Sequence, residues 1–140
     1  MTLDEMNSAL VEHGIVGRIT EKELTSTGAQ IKDIDYFSFQ RLCEFRKLLN
    51  SPIHFIFNGI TTGKHLSAGH PEGKAFDLFI PNIPPYKIIC TAIDAGLKRI
   101  GVYFNGTAYS YHLENGKCAL WYGEKFTAND WEYSRLVKVP

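Results

Sequence analysis

The sequence predicts an α+β fold, in which helices pack on one face of a small antiparallel sheet. Apolar residues follow helical spacing up to Pro52, and short runs with strand-like alternation come after it. Asn-Gly pairs separate the later runs, which is typical of β-hairpins. Helices that precede a group of hairpins indicate the α+β class. Residues 1–140 have the length of a single domain with its own hydrophobic core.

Two helical segments are predicted near the start of the chain. Residues 3–13 carry apolar side chains near helical spacing, with Thr2 before them and Gly14 after them as caps. Thr20 and Glu23 have the spacing of a capping box, which can open one helical turn. We therefore expect a short helix and a single helical turn in this part of the chain.

Two further helices have clearer boundaries. The longer one begins at Asp35 or Ser38 and ends before Pro52, because proline cannot continue a helix. The other begins at Pro84-Pro85, since proline is favoured in the first turn, and Gly96 ends it. The residues expected to face inward from these two helices are Phe39, Leu42, Cys43, Arg46, Leu49, Ile89, Ala92 and Ile93.

The predicted strands lie at residues 53–57, 75–80, 100–104, 108–114 and 118–122. The turn pairs Asn105-Gly106 and Asn115-Gly116 join the last three strands as consecutive hairpins. Between the first two strands, residues 60–73 contain glycines and two histidines without a helical or strand-like period. A loop of this length indicates a functional site.

Composition and charge exclude several kinds of partner. Lys+Arg and Asp+Glu balance at 15 each, so the chain lacks the basic surface that binds nucleic acid. No apolar run has the length of a membrane span, and the first residues lack the pattern of a signal peptide. We therefore expect a monomer made as a soluble cytoplasmic chain, which would need release to act outside a cell. The three widely spaced cysteines are expected to be buried thiols.

Four side chains that can bind metal or transfer protons fall on two predicted strands and the loop before them. Strand alternation puts His112 and Glu114 on one face, about 7 Å apart, and turns Asp77 away from the most apolar face of its own strand. If the two strands are neighbours, the loop ending at His70 brings its imidazole to Asp77 and His112. Two imidazole nitrogens and one carboxylate oxygen suit Zn²⁺, with a fourth position left for water.

The same residues indicate a reaction class. A bound zinc ion lowers the pKa of its water to about 7, so that a nearby carboxylate can accept the proton. Glu114 lies two residues beyond His112 on the same face, which makes it the candidate for this general base. The reaction class is metal-assisted hydrolysis.

The order of these residues resembles a known family. The pattern His-x-x-Gly-x-Ala-x-Asp, followed by an aromatic-flanked His-x-Glu, is similar to that of the zinc peptidases that include D-alanyl-D-alanine carboxypeptidases and phage endolysins. Their fold is shared with the Hedgehog signalling domain. The resemblance covers roughly residues 18–123 in the family's order. The further segments that carry it are Thr20-Glu-Lys-Glu-Leu-Thr25, residues 39–52, Ile100-Gly-Val-Tyr103 and Trp121.

The resemblance implies a zinc peptidase that cuts peptidoglycan stem peptides, with His70, Asp77 and His112 as the ligands of Zn²⁺. It also implies a Hedgehog/DD-peptidase-like fold and, for a phage-encoded enzyme, action on the cell wall after release. Two alternatives from other classes remain open. One is a Hedgehog-like zinc-binding module without turnover, and the other is a phage structural protein with a decayed site.

The chain departs from the family pattern at several positions, and two of these departures concern substrate binding and the base. Many members carry Ser-Gly-Tyr-Arg before the loop, and its arginine is thought to hold the substrate's carboxylate. This chain has Asn58-Gly-Ile-Thr61 there, so Lys64 and His65 become the candidate substrate-binding residues. Carboxypeptidases of the family place the base three residues before the last ligand, where this chain has Tyr109. Glu114 is then the best candidate for the base.

Overall fold

The computed structural model of the chain describes residues 1–63, 69–125 and 131–132. In this part of the chain, helices and strands follow the order predicted for an α+β domain. The helices are α1 (Leu3–Glu12), α2 (Glu21–Thr25), a 3₁₀ turn (Ile31–Asp33), α3 (Tyr36–Leu49) and α4 (Pro85–Asp94). The strands are β1 (His54–Phe55), β2 (Ala75–Phe79), β3 (Arg99–Phe104), β4 (Tyr109–Glu114), β5 (Ala119–Lys125) and β6 (Trp131–Glu132).

The predicted helix starts are confirmed. Thr2 caps α1 in a full capping box with Glu5, because each side chain accepts from the other residue's backbone N–H. Thr20 accepts the backbone N–H of Glu23 at the start of α2. Of the two candidates for the start of α3, Asp35 is the cap. Its carboxylate is the better acceptor for the orphan N–H groups of the first turn.

The predicted inward face of α4 is partly wrong. Ile88 and Ala92 are buried, whereas Ile93 is 43% exposed and Ile89 only half-buried. The buried stripe of this helix therefore passes through Ile88, Ala92 and Ala95, in the i, i+4, i+7 pattern of a helix with one apolar face. Apolar residues of α4 extend beyond the face that the core covers. The sequence alone therefore does not show which of them point inward.

The sheet is mixed, so the prediction of an antiparallel sheet is wrong at one pair. The strand order is β1-β2-β4-β3-β5-β6, and β3 and β5 run parallel. The predicted hairpin of β3 with β4 is present, but β4 and β5 do not pair. Arg99 is opposite Glu114 on one side and Ala119 on the other. The connection from β4 to β5 therefore passes across the end of β3, and the Asn115-Gly116 pair does not close a hairpin.

The two faces of the sheet have different environments. One face joins the helices in a single hydrophobic core. The sheet residues on this face are Phe76, Leu78, Ile100, Val102, Tyr111 and Leu113, and their cross-strand partners are in register. The opposite face carries the polar residues of the same strands, among them Asp77, His112 and Glu114. The predicted alternation of β2 and β4 is therefore confirmed.

A group of hydrogen bonds ties α3 to the strands of this polar face. Asp35 N donates to the carbonyl of Gly73, and Asn115 N donates to that of Lys74, both at 3.0 Å. Asn115 Nδ2 also donates to Ser38 Oγ at 3.1 Å. Gly73 has φ +70°, and a Cβ there would overlap the carbonyl oxygen of residue 33. The glycine of the motif is thus needed where the loop meets the start of α3.

The cysteines only partly follow the prediction of buried thiols. Cys43 is buried in α3, and burial raises the pKa of its thiol to about 12. Cys90 and Cys118 are exposed, so the prediction is wrong for them. Among the described residues, no helix has the combination of length and apolar character needed to cross a membrane.

Candidate metal centre

Strand pairing brings the predicted ligands together. Asp77 on β2 is directly opposite His112 on β4. His70 lies in the turn that leads into β2, where its carbonyl accepts from Gly73 N at 3.0 Å and Lys74 N donates to Gly69 O at 2.8 Å. The neighbouring arrangement of the two strands, on which the prediction of a shared site depended, is therefore present.

Three ligand atoms from these residues converge on one point. His70 Nε2 is 3.0 Å from His112 Nδ1 and 3.3 Å from Asp77 Oδ1. His112 Nδ1 and Asp77 Oδ1 are 3.2 Å apart. Ligands about 2.0–2.2 Å from a tetrahedral zinc ion would lie roughly 3.3–3.6 Å from one another. The triangle is close to that size. His70 and His112 are 2% and 3% exposed, so the centre is buried on the histidine side.

Contacts on the outer side of the two histidines limit which ring nitrogens can bind an ion. His70 Nδ1 is 2.7 Å from the carbonyl oxygen of Ile60 and must donate to it, because a carbonyl only accepts. His112 Nε2 is 3.2 Å from Glu114 Oε2 and His112 Nδ1 is 3.2 Å from Asp77 Oδ1, so the neutral ring can donate to only one of the two carboxylates. When it donates to Glu114, His70 Nε2 and His112 Nδ1 both present lone pairs beside the Asp77 carboxylate. Three atoms with lone pairs that face one point repel one another unless a proton or a cation lies between them. Two imidazole nitrogens and a carboxylate oxygen form a set of ligands that fits a metal ion.

The pKa shifts agree with a centre that attracts positive charge. Burial raises the pKa of Asp77, but hydrogen bonds from His112 and His70 outweigh it and bring the value down to about 2. Burial lowers the pKa of His112, yet contacts with Asp77 and Glu114 outweigh it and raise the value above the ordinary one. Without a metal, the two carboxylates thus stabilise the protonated, positively charged form of His112.

Glu114 lies behind His112 on the side away from the other ligands. Its Oε2 forms an ion pair with Arg99 Nε at 2.7 Å, and the residue is only 4% exposed. A Cβ at Gly69 would overlap its carboxylate, so the loop backbone covers it. The prediction that Glu114 is the general base stays a prediction. Its contacts are those of a group that orients a ligand histidine.

Aromatic residues form one wall of the centre. The ring of Trp121 is 5.2 Å from that of His112, and its Nε1 donates to Tyr103 Oη at 2.6 Å. A Cβ at Gly101 would lie 2.5 Å from Trp121 Nε1, so the indole rests directly on the backbone of β3. The guanidinium of Arg99 lies over the same indole, 5.3 Å from its centroid.

Sequence reasoning did not find the roles of Arg99, Gly101 and the Ile60 carbonyl. Alternation in β3 puts Arg99, Gly101 and Tyr103 on one face, but only the register with β4 shows that this face is the polar one. The carbonyl of Ile60 carries no side-chain signal. Each of these contacts depends on tertiary pairing, which residue types alone do not show.

The remaining predicted residues have separate outcomes. Lys64 and His65, the predicted substrate-binding residues, lie outside the described residues. Tyr109, which takes the position of the family's base, is 38% exposed and lies against Phe104, with ring centroids 4.7 Å apart. It points away from the face that carries His112, because alternate residues of a strand point to opposite faces. No acidic side chain therefore stands at that position.

Comparisons of the chain with protein-family models, with curated proteins and with solved structures found no match. The fold and the site together define an α+β protein with a candidate metal centre built from two histidines and an aspartate.

Proposed function

We propose that this protein is a zinc-dependent peptidase that hydrolyses stem-peptide bonds of peptidoglycan, in a Hedgehog/DD-peptidase-like fold. The observation that carries the proposal is the convergence of His70 Nε2, His112 Nδ1 and Asp77 Oδ1 at 3.0–3.3 Å from one another. Three protein ligands are typical of catalytic zinc, whereas structural zinc sites use four. The peptide substrate is inferred from the motif order His70, Gly73, Ala75, Asp77 and His112.

The chain's residues support this chemistry in distinct ways. A zinc ion, when bound, would supply Lewis acidity toward a peptide carbonyl and a water molecule with a lowered pKa. The Ile60 carbonyl accepts from His70 Nδ1, so the lone pair of the neutral ring is on Nε2, the nitrogen beside Asp77. Asp77 contributes the negative charge that balances part of the ion's charge. Trp121 covers His112 on one side and restricts the access of water.

A second candidate function is a metal-binding module without turnover. Two observations favour it. The position of the family's base is occupied by Tyr109, which lies on the other face of β4. The carboxylate of Glu114, the predicted base, is in contact with Arg99 Nε and His112 Nε2. A module of this kind would bind zinc as tightly as the peptidase and cleave nothing.

Two measurements on the purified protein test these proposals. The first is zinc content after dialysis against a weak chelator, for which we expect one ion per chain and a loss with Asp77→Asn. The second is mass spectrometry of muropeptides after incubation with the zinc-loaded protein, with and without a strong chelator. New fragments that disappear with the chelator and with Asp77→Asn support the peptidase.

The outcomes separate the two candidates. Zinc binding without any new muropeptide would contradict the peptidase and support the module. Absence of zinc binding would contradict both. Glu72→Gln serves as the control, because Glu72 is an exposed carboxylate beside His70 that pairs only with Lys74, at 3.4 Å, among the described residues. Its zinc content and products should equal those of the wild type.

A further inference from the structure

Two contacts in series connect the candidate ligand His112 to Arg99, the first residue of the internal strand β3. His112 Nε2 lies 3.2 Å from Glu114 Oε2, and the same oxygen forms an ion pair with Arg99 Nε at 2.7 Å. Glu114 and Arg99 are direct cross-strand partners, so the backbone register of β3 and β4 sets this pair in place. The guanidinium of Arg99 rests on Trp121, which in turn lies beside the His112 ring. The four side chains therefore support one another around the imidazole.

The imidazole of His112 lies between two carboxylates that compete for its proton. Asp77 Oδ1 is 3.2 Å from Nδ1, and Glu114 Oε2 is 3.2 Å from Nε2. A proton on Nδ1 would donate to Asp77 and would block the nitrogen that faces the other ligands. A proton on Nε2 donates to Glu114 and leaves Nδ1 free. The position of one proton thus decides whether the ring can bind an ion.

We infer that Glu114 is a positioning residue, held by Arg99, that keeps the His112 proton on Nε2 and so leaves Nδ1 free to bind the metal. This inference rests on the metal centre of the proposed function but not on turnover. It differs from a general-base role, in which Glu114 would act on a water molecule. The enclosure of its carboxylate by Gly69, Arg99 and His112 favours the positioning role.

The test uses Glu114→Gln, Glu114→Ala and Arg99→Gln in the full chain, with Glu72→Gln as the matched loss of a carboxylate. Zinc affinity is measured by competition with a coloured chelator. Nitrogen-15 NMR of the imidazole rings of the zinc-free protein, recorded at a pH above the titration of the His112 ring, reports the tautomer of His112. Thermal unfolding of each variant shows whether it is folded.

We expect zinc to bind about 10–100-fold more weakly to Glu114→Ala and roughly tenfold more weakly to Glu114→Gln, whose amide oxygen is a weaker acceptor. Arg99→Gln should weaken binding less, because the carboxylate remains. The NMR signals should move toward the Nδ1–H tautomer in the same order, since Asp77 then has less competition. A change of this kind would not arise from a loss of stability alone.

Two results would overturn the inference. One is unchanged zinc affinity in Glu114→Gln with a loss of about 10²–10⁴ in turnover, as removal of a general base produces. The other is an unchanged tautomer and affinity in all three variants. If Glu114→Ala does not fold, the milder Glu114→Gln and Arg99→Gln still decide the question. A wild type that binds zinc without turnover would contradict the peptidase alone, and the tautomer measurement remains valid.

Discussion

At the scale of single residues, two glycines beside His70 are needed for different reasons. Gly73 has φ +70° and lies against the backbone before α3, so both its conformation and its lack of a side chain matter. Gly69 has no positive φ, but a Cβ there would overlap the carboxylate of Glu114. Gly73 is thus structural, whereas Gly69 allows the loop to close over a buried charge.

Gly69→Ala should therefore damage the centre more than the fold. We expect a loss of about 1–3 kcal/mol in the free energy of unfolding, as overpacking of a tight site produces. Because the carboxylate must move away from His112, zinc affinity should also fall by roughly tenfold. Chemical denaturation and a zinc titration measure the two effects.

Gly116→Ala is the control for Gly69→Ala. A Cβ at Gly116 would contact Arg99 Cδ at 3.4 Å and Glu114 Cγ at 4.0 Å, which is ordinary packing against the same pair of side chains. Its stability and zinc affinity should stay near those of the wild type. Equal effects of the two substitutions would mean that the contact of Gly69 with Glu114 does not matter.

At the scale of elements, the start of α3 connects the helical layer to the strands that carry the ligands. Asp35 Oδ2 accepts from Ser38 N at 3.0 Å and from Ser38 Oγ at 2.7 Å. The same hydroxyl accepts from Asn115 Nδ2, at the residue that follows β4. The cap of α3 therefore also holds the end of the strand that presents His112 and Glu114.

Asp35→Ala removes this cap and should cost about 1 kcal/mol in the free energy of unfolding. For a domain of this size the loss corresponds to a fall in Tm of roughly 3–4 °C. Asp35→Asn keeps an oxygen that can accept the same hydrogen bonds and should change stability by less than about 0.5 kcal/mol. Calorimetry of both variants checks the prediction, and an equal loss in both would contradict the cap as its cause.

Local sequence patterns predicted where helices and strands lie better than they predicted which strands pair. The predictions of the caps of α1, α2 and α3 and of the alternation in β2 and β4 are confirmed. These features depend only on residues close in sequence. The Asn115-Gly116 pair indicated a turn, but a turn signal does not say whether the next strand pairs with the last one or crosses it. The parallel pairing of β3 with β5 depends on tertiary packing, and so does the burial of Ile88.

The candidate site shows the same division. Alternation predicted that His112 and Glu114 share a face, and the pairing of β2 with β4 adds Asp77 to it. The choice of ring nitrogens could not be predicted, because it follows from the carbonyl of Ile60 and from Glu114. The predicted roles of the ligands and of the base remain predictions.

At the scale of the whole molecule, the sheet separates an apolar core from a buried polar cluster. Buried ionisable groups cost stability unless they are paired, and His70, Asp77 and His112 all contact one another. The interactions among these three side chains become favourable when a proton or a metal ion lies between them. Metal binding, protonation and folding should therefore be linked in this protein.

The linkage predicts opposite pH dependences for the metal-free and the zinc-loaded protein. The pKa of His112 is raised in the folded state, so its protonation stabilises the metal-free fold fully below the unfolded value of about 6.5. This contribution is lost as pH rises through the raised pKa. Zinc needs the neutral ring, so the rise in Tm that zinc causes should grow over the same range. The pKa of Asp77 is lowered to about 2, so the stability that its carboxylate contributes is lost only at more acidic pH.

Thermal unfolding from pH 5.5 to 8.5, with a chelator and with excess zinc, measures both trends. At a free zinc concentration of 100 times Kd, we expect a stabilisation of about 2.7 kcal/mol, which corresponds to a rise in Tm of roughly 10 °C. Asp77→Asn should lose most of the zinc effect and weaken the pH dependence of the metal-free protein. A zinc-induced rise in Tm that is the same at every pH, or that Asp77→Asn retains, would show that zinc binds elsewhere than at His70, Asp77 and His112.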